Sequence, residues 1–341
     1  MCHSLPYLTT EGTQLFMSVM QLRWRTRLYL CLHILRVLRD SLLQGEGSSL
    51  EFFLLNILKA PKEMEVESSE DSLLAAEIVH ILEAVYKVYG PVLSQILHPT
   101  MRTELTRGAG FPQGLWVWHG DSGVDPERFV VLYYLHGGGY CFFDGITSHL
   151  ELVTRMVAEL QDDLSSAGWA DVKVVAFILD YTLAPQAILP TQLEEAVECY
   201  KYILSQDRYP VEAGDIVISG DSAGGALNPM FTFTSVSRAT FGGVPILLQA
   251  GGSEGFLEEI LHFVKMTDDV VTLEVYEDRF HIFPMLSWII PQGKVAIKRW
   301  ASFSSSALMA KPLPLGQHLA VCPAGSVKPH PELDWDTAQS G

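Results

Sequence analysis

Basic residues are scarce in this 341-residue sequence: 23 lysines and arginines stand against 40 aspartates and glutamates, a formal charge of −17. A chain so acidic lacks the positive footprint that a phosphate backbone requires, which excludes nucleic acid as a partner. Cysteine is scarce as well. The five present (Cys2, Cys31, Cys141, Cys199, Cys322) are odd in number, widely spaced and never in a C-x-x-C pair. Neither a disulfide framework nor a zinc knuckle is expected, and the thiols read as reduced. Internal repeats are absent, and 27 glycines with 18 prolines are near average usage, which excludes collagen-like and low-complexity architectures. What remains is 48% hydrophobic and 18% charged, enough apolar material for a sizeable core.

The first forty residues stand apart. From Gly12 to Arg39 there is no acidic residue, yet Arg23, Arg25, Arg27, Arg36 and Arg39 all occur. The uncharged pieces there, such as Leu28–Leu35, fall far short of the roughly 18–20 apolar residues that span a bilayer. The arginines lie inside the apolar stretch rather than before it, unlike a secretory signal. At helical spacing they fall on both sides, so no clean apolar face survives. The segment predicts a leading surface helix, with peripheral membrane contact through residues 15–40 as the other reading. A cytoplasmic or membrane-associated intracellular setting is the matching expectation.

Three regions are expected: a helical, cap-like part over 1–110 with an acidic linker near 62–72, a catalytic domain over 111–305, and a disordered proline-rich tail over 306–341. Apolar residues at helical spacing from Leu74 to Tyr89 predict a helix that Gly90-Pro91 ends. From Gly114 short apolar runs, 129–135, 172–179 and 215–219, alternate with amphipathic stretches such as 148–160 and 191–205. Two further runs follow at 244–250 and 270–276. Continuous apolar strands separated by helices predict an α/β fold, a mostly parallel sheet covered by helices on both faces.

Chemistry-bearing residues fall at the ends of these strands, where open α/β sheets place their sites. His136-Gly137-Gly138-Gly139 follows 129–135; glycines there let the backbone turn and point N–H groups into a cavity, as a developing oxyanion requires. The spacings of nucleotide-phosphate loops are missing around it. Gly220-Asp221-Ser222-Ala223-Gly224 follows 215–219 as G-x-S-x-G, the strained strand-to-helix elbow that exposes a serine hydroxyl, with the Ala223 N–H as a further oxyanion donor. Such a serine needs a histidine base and a carboxylate behind it. Downstream stand His262, His281, His318 and His330; only His281 lies just past a predicted strand. Glu254 follows the strand at 244–250, with Glu258 and Glu259 as ordinary first-turn acids of the next helix or as alternatives. A protease-like order, His149, Asp180, Ser222, is also present, but that fold is two antiparallel β-barrels and this chain alternates strands and helices. Glu259-x-x-His262 is half of a di-iron pattern without a second copy, and reads as a solvated helix face.

LHGGGY (135–140), DYTLAP (180–185), GDSAGG (220–225), GSE (252–254) and DRFHIFPML (278–286) together resemble the hormone-sensitive-lipase-like family of α/β-hydrolases, within it the fungal steryl acetyl hydrolase-like esterases. The resemblance spans roughly residues 114–305. It implies an α/β-hydrolase fold that cleaves small-molecule carboxylic esters, often with short acyl groups, with neither metal nor organic cofactor. It assigns Ser222 as nucleophile, His281 as base and Glu254 as acid, with the amides of Gly138, Gly139 and Ala223 as oxyanion hole. Gln186 departs from the glutamate usual after LAP. The larger departure is the short connection from Ser222 to Glu254, which predicts the loss of one strand and the cap insertion. That loss would displace acid and base by about one inter-strand spacing, ~4.8 Å. A non-catalytic α/β-hydrolase-fold protein that binds a ligand or partner is the rival expectation.

Overall fold

The computed structural model describes residues 83, 86–87, 89–108, 110–120, 126–227, 244–267, 270–323 and 325–330. The arginine-rich segment, the linker near 62–72 and most of the cap-like region lie outside the described residues, as does Pro229.

The strands are β1 (Met101–Gly108), β2 (Phe111–His119), β3 (Arg128–Leu135), β4 (Val172–Asp180), β5 (Ile216–Gly220), β6 (Ile246–Gly251), β7 (Val271–Tyr276), β8 (His318–Val321) and β9 (Val327–Pro329). Five helices carry the connections: α1 (Leu150–Ser166), α2 (Thr191–Ser205), α3 (Ser222–Leu227), α4 (Leu257–Thr267) and α5 (Pro291–Leu308). The first sheet runs β1-β2-β4-β3-β5 and the second β6-β7-β8-β9. β3 pairs in parallel with β4 and β5, while β1 and β2 join antiparallel. In the second sheet β6, β7 and β8 are parallel and β9 is antiparallel.

The period-two pleat sorts the apolar runs of β3 and β4 onto two faces. Val130, Leu132 and Tyr134, with Val174, Ala176 and Ile178, pack against α1 and α5. Val131, Tyr133 and Leu135, with Val175, Phe177 and Leu179, pack against Ala196, Cys199 and Ile203 of α2. Burial on both faces is why these strands read as unbroken apolar runs. α1 supplies Val153, Met156, Val157, Leu160 and Leu164 on one stripe, the 3.6-residue spacing of a core-facing helix. Over the second sheet, Phe263 and Val264 of α4 cover Ile246, Val271 and Leu273.

Register then aligns the business ends. Leu135 stands opposite both Leu179 and Gly220, so the loops after β3, β4 and β5 leave from one edge. Gly251 opposite Tyr276 does the same for β6 and β7. Among the described residues β5 and β6 each end a sheet, unpaired with one another. Both line a cleft of about 1260 Å³ into which Ser222, Glu254 and His281 also face.

Three expectations change. Gly90-Pro91 does not stop the helix, which continues to residue 97; a proline removes only its own N–H, and packing carries the helix past it. β1 and β2 form a hairpin where no strand is predicted. Of the segment expected to be disordered, the described residues between 306 and 330 instead finish α5 and contribute β8 and β9, because β7 offers its free edge to His318–Val321. Among the described residues no helix is long and apolar enough to cross a membrane.

Candidate active site

The turn from β5 into α3 is tight enough to require both a strained serine and a bare glycine. Ser222 has φ 49°, in the left-handed region that non-glycine residues rarely occupy. A Cβ on Gly224 would stand 2.0 Å from the Leu135 carbonyl oxygen, so the elbow presses directly on the end of β3. Gly224→Ala is expected to force the elbow away from β3 at a cost of ~3 kcal/mol, the upper end of overpacking penalties. Thermal melts of the two proteins check it: the alanine variant should melt lower.

Ser222 is exposed and its Oγ lies 2.8 Å from His281 Nε2. His281 Nδ1 faces Glu254 Oε1 at 3.5 Å, and Glu254 is buried with its Oε2 accepting the Gly251 N–H at 2.8 Å. The structure thus brings together the serine, histidine and glutamate expected from the sequence. The displacement of acid and base by one inter-strand spacing is not observed, and acid and base stay together. Their loops are tied by Ser253 N–H to the Arg279 carbonyl and Gly252 N–H to the Tyr276 carbonyl, each at 2.8 Å. Glu258 and Glu259 lie exposed in the first turn of α4, and His262 lies further along it. His318 opens β8.

The loop after β3 supplies the amides. Gly138 has φ 120° and Gly139 φ 61°. A side chain on Gly138 would meet the Phe142 carbonyl oxygen at 1.9 Å, so glycine alone permits this turn. Among the described residues no hydrogen bond uses the amides of Gly138, Gly139 or Ala223. The Gly137 amide, in contrast, is spent on Asp221 Oδ1 at 2.9 Å.

The protease-like grouping does not form. His149 faces Asp221 Oδ1 at 3.3 Å, and Asp180 stands instead 3.8 Å from His136 Nε2. Asp221, Tyr134 and Tyr181 surround the loop without having been singled out by sequence; the usable signal was position, since Asp221 directly precedes the elbow serine. Tyr181 donates to the His136 carbonyl at 2.7 Å and stacks on the His136 ring with centroids 4.1 Å apart. Among the described residues no group of three or more metal-ligating side chains comes together.

His136 is buried, and its Nδ1 donates to the Gly137 carbonyl at 2.7 Å. Burial, then the neighbouring His149, pushes it down to about 4. Below its ordinary value the unfolded chain takes up a proton that the folded chain refuses, so this group lowers stability as pH falls from 6.5 to about 4. The full loss is about 3 kcal/mol. Urea unfolding across that window should show a slope in the wild type that is shallower in His136→Asn. Equal slopes would place the acid sensitivity elsewhere.

The fold and the seating of the serine belong to the α/β-hydrolase class, and residues 132–254 match the family model described as alpha/beta hydrolase fold. Within that class part of the chain is similar to curated hydrolases. Arylacetamide deacetylase of Oryctolagus cuniculus is 35% identical over 99 residues, which is 28% of this chain and 22% of that protein. Neutral cholesterol ester hydrolase 1 of Mus musculus is 31% identical over 118 residues, 33% of this chain and 26% of that protein. The chain therefore spans about a quarter of the length of these curated relatives. Among solved structures, an esterase of the bacterial hormone-sensitive lipase family superposes with TM-score 0.53 at 20% identity, covering 77% of this chain and 99% of that one. A hyperthermophilic esterase from Pyrobaculum calidifontis gives TM-score 0.53 at 18% identity, covering 69% and 94%. At these identities the two structures bear on the fold alone.

Proposed function

We propose that the chain is a serine carboxylesterase that uses Ser222, His281 and Glu254 on small, short-acyl esters. The observation that carries this reading is the 2.8 Å contact of Ser222 Oγ with His281 Nε2, with a buried carboxylate behind the ring. His281 Nε2 takes the hydroxyl proton as Ser222 Oγ attacks the ester carbonyl, and Glu254 holds the ring so that Nδ1 carries its hydrogen. The carbonyl oxygen gains negative charge opposite the amides of Gly138, Gly139 and Ala223, whose dipoles need no reorganisation. Collapse breaks the C–O bond; the alcohol leaves with the proton from His281, and the acyl group stays on Ser222. Water, deprotonated by the same histidine, then releases the acid and restores the serine. Names of relatives, a deacetylase and a cholesterol ester hydrolase, agree with ester or amide carbonyls as the substrate class.

The non-catalytic binding role is disfavoured by the same contact, since a binding scaffold has no need of an imidazole on a strained serine. A fluorophosphonate probe tests the reading without a guess at substrate: Ser222 should be the labelled residue, located by peptide mass spectrometry. A folded chain that stays unlabelled would overturn it.

A further inference from the structure

Beneath the nucleophile lies a charged pair to which the mechanism above gives no part. His149, at the start of α1, is 1% exposed. Its Nδ1 is 3.1 Å from the Asp144 carbonyl oxygen; a carbonyl has no proton to give, so Nδ1 carries the hydrogen. Its Nε2 is 3.3 Å from Asp221 Oδ1. A bare lone pair that close to a carboxylate oxygen is repelled, whereas an N–H is attracted. The geometry therefore favours a ring protonated on both nitrogens, that is, a buried imidazolium–carboxylate pair. Burial pushes His149 down, but the Asp221 charge and hydrogen bonding outweigh it and hold the ring above its ordinary value. Burial likewise pushes Asp221 up, and His149, Tyr134 and His136 together bring it to about 2.

Asp221 ties three parts of the site together. Its Oδ1 accepts from Tyr134 Oη at 2.7 Å and from the Gly137 amide at 2.9 Å, and it faces His149 on α1. The next residue along the chain is Ser222. The one amide of the glycine loop that is not free for an oxyanion is thus the one that anchors the other two.

We propose that His149 is a positioning residue for the oxyanion loop: its imidazolium anchors Asp221, and Asp221 holds Gly137 so that the Gly138 and Gly139 amides converge on the carbonyl attacked by Ser222. This rests on the esterase reading of Ser222. The groups that face the pair are His136 and Tyr134 from β3 and its loop, Tyr181 after β4, and Asp144 before α1. The Asp144 carboxylate is occupied by Thr147 and lies 3.7 Å from Lys87. None of these replaces the charge on His149 against Asp221. The side chain in His149→Gln is neutral and leaves Asp221 without an opposing charge.

The test has a spectroscopic and a kinetic arm, both on the full chain. Nitrogen NMR of histidine-labelled protein should show one ring, missing from His149→Gln, that keeps both nitrogens protonated to a higher pH than an ordinary imidazole. A neutral tautomer at His149 overturns the proposal. With p-nitrophenyl acetate, His149→Gln should lower kcat about 10²-fold, the scale of one lost oxyanion donor, and leave KM unchanged. Asp221→Asn should do the same, and the double variant should be no worse than either single one, as expected of residues acting as a unit. Additive losses, or a raised KM with kcat intact, overturn it. If His149→Gln fails to fold by near-ultraviolet circular dichroism, Asp221→Asn carries the kinetic arm. Fluorophosphonate labelling of the wild type separates the two claims: an unlabelled wild type sinks the esterase reading and this proposal with it. A labelled wild type beside an unimpaired His149→Gln sinks this proposal alone.

Discussion

Ser222→Ala is expected to lower kcat on short aryl esters by about 10⁶-fold, the scale of removing a triad serine, with the residue left to binding and the oxyanion donors. The size follows from geometry. The hydroxyl lies 2.8 Å from His281 Nε2, and a methyl in its place leaves the base with no proton to take. The backbone should tolerate the change, because alanine at φ 49° carries the same strain as serine and the pressing contact is made by Gly224. Activity measured on protein whose circular dichroism matches the wild type therefore reports chemistry rather than folding. Turnover retained in the alanine variant would show that hydrolysis comes from another group.

Glu254→Gln is expected to cost about 10⁴-fold in kcat, as when a triad acid is neutralised without a change of shape. One carboxylate oxygen is held by the Gly251 amide and the other faces His281 Nδ1. Glutamine can keep the first contact but presents either a neutral oxygen or an N–H to the ring. The N–H form favours the wrong tautomer, with the hydrogen on Nε2 where the base must be bare. Glu258→Gln and Glu259→Gln, both exposed at the start of α4, should turn over within a few tenths of a kcal/mol of wild type, the usual range for surface changes. Steady-state kinetics on the three variants decides. A large loss at Glu258 instead would mean that the acid had been placed one helical turn too early.

The parts of the fold that could be read from residues are those whose environment is uniform along the segment. β3 and β4 lie between helices on both faces, so apart from Arg128, Lys173 and Asp180 their side chains are apolar, and the runs at 129–135 and 172–179 mark the strands to within a residue. β1 is the opposite case: MRTELTRG is mostly exposed, and its strand character comes from pairing with β2, a partner that composition does not reveal. β8 is four residues set among prolines, and becomes a strand only because β7 presents an edge. The candidate site divides in the same way. Ser222 and the glycine loop announce themselves through backbone demands that only certain residues meet. Glu254 and His281 follow from their places at strand ends. The pairing of His149 with Asp221 depends on how the start of α1 meets the elbow, a tertiary fact that neither residue's neighbours encode.

The chemistry is divided at a join. Ser222 and the glycine-loop amides stand on the sheet that ends with β5, whereas Glu254 and His281 stand on the one that begins with β6. No ladder among the described residues crosses between them. Besides the Ser222–His281 contact itself, what crosses includes the packing of Met285, Ile297 and Ala301 into the core beneath α1 and the hydrogen bond of Ser305 to Asp163. A slip of about 1 Å along that contact would take the imidazole out of reach of the hydroxyl, at a rate cost of about 10²-fold, while every strand kept its partners. Competence therefore resides in the tolerance of a fitted joint rather than in either half, and the side chains of α1 and α5 that pack across it set that tolerance.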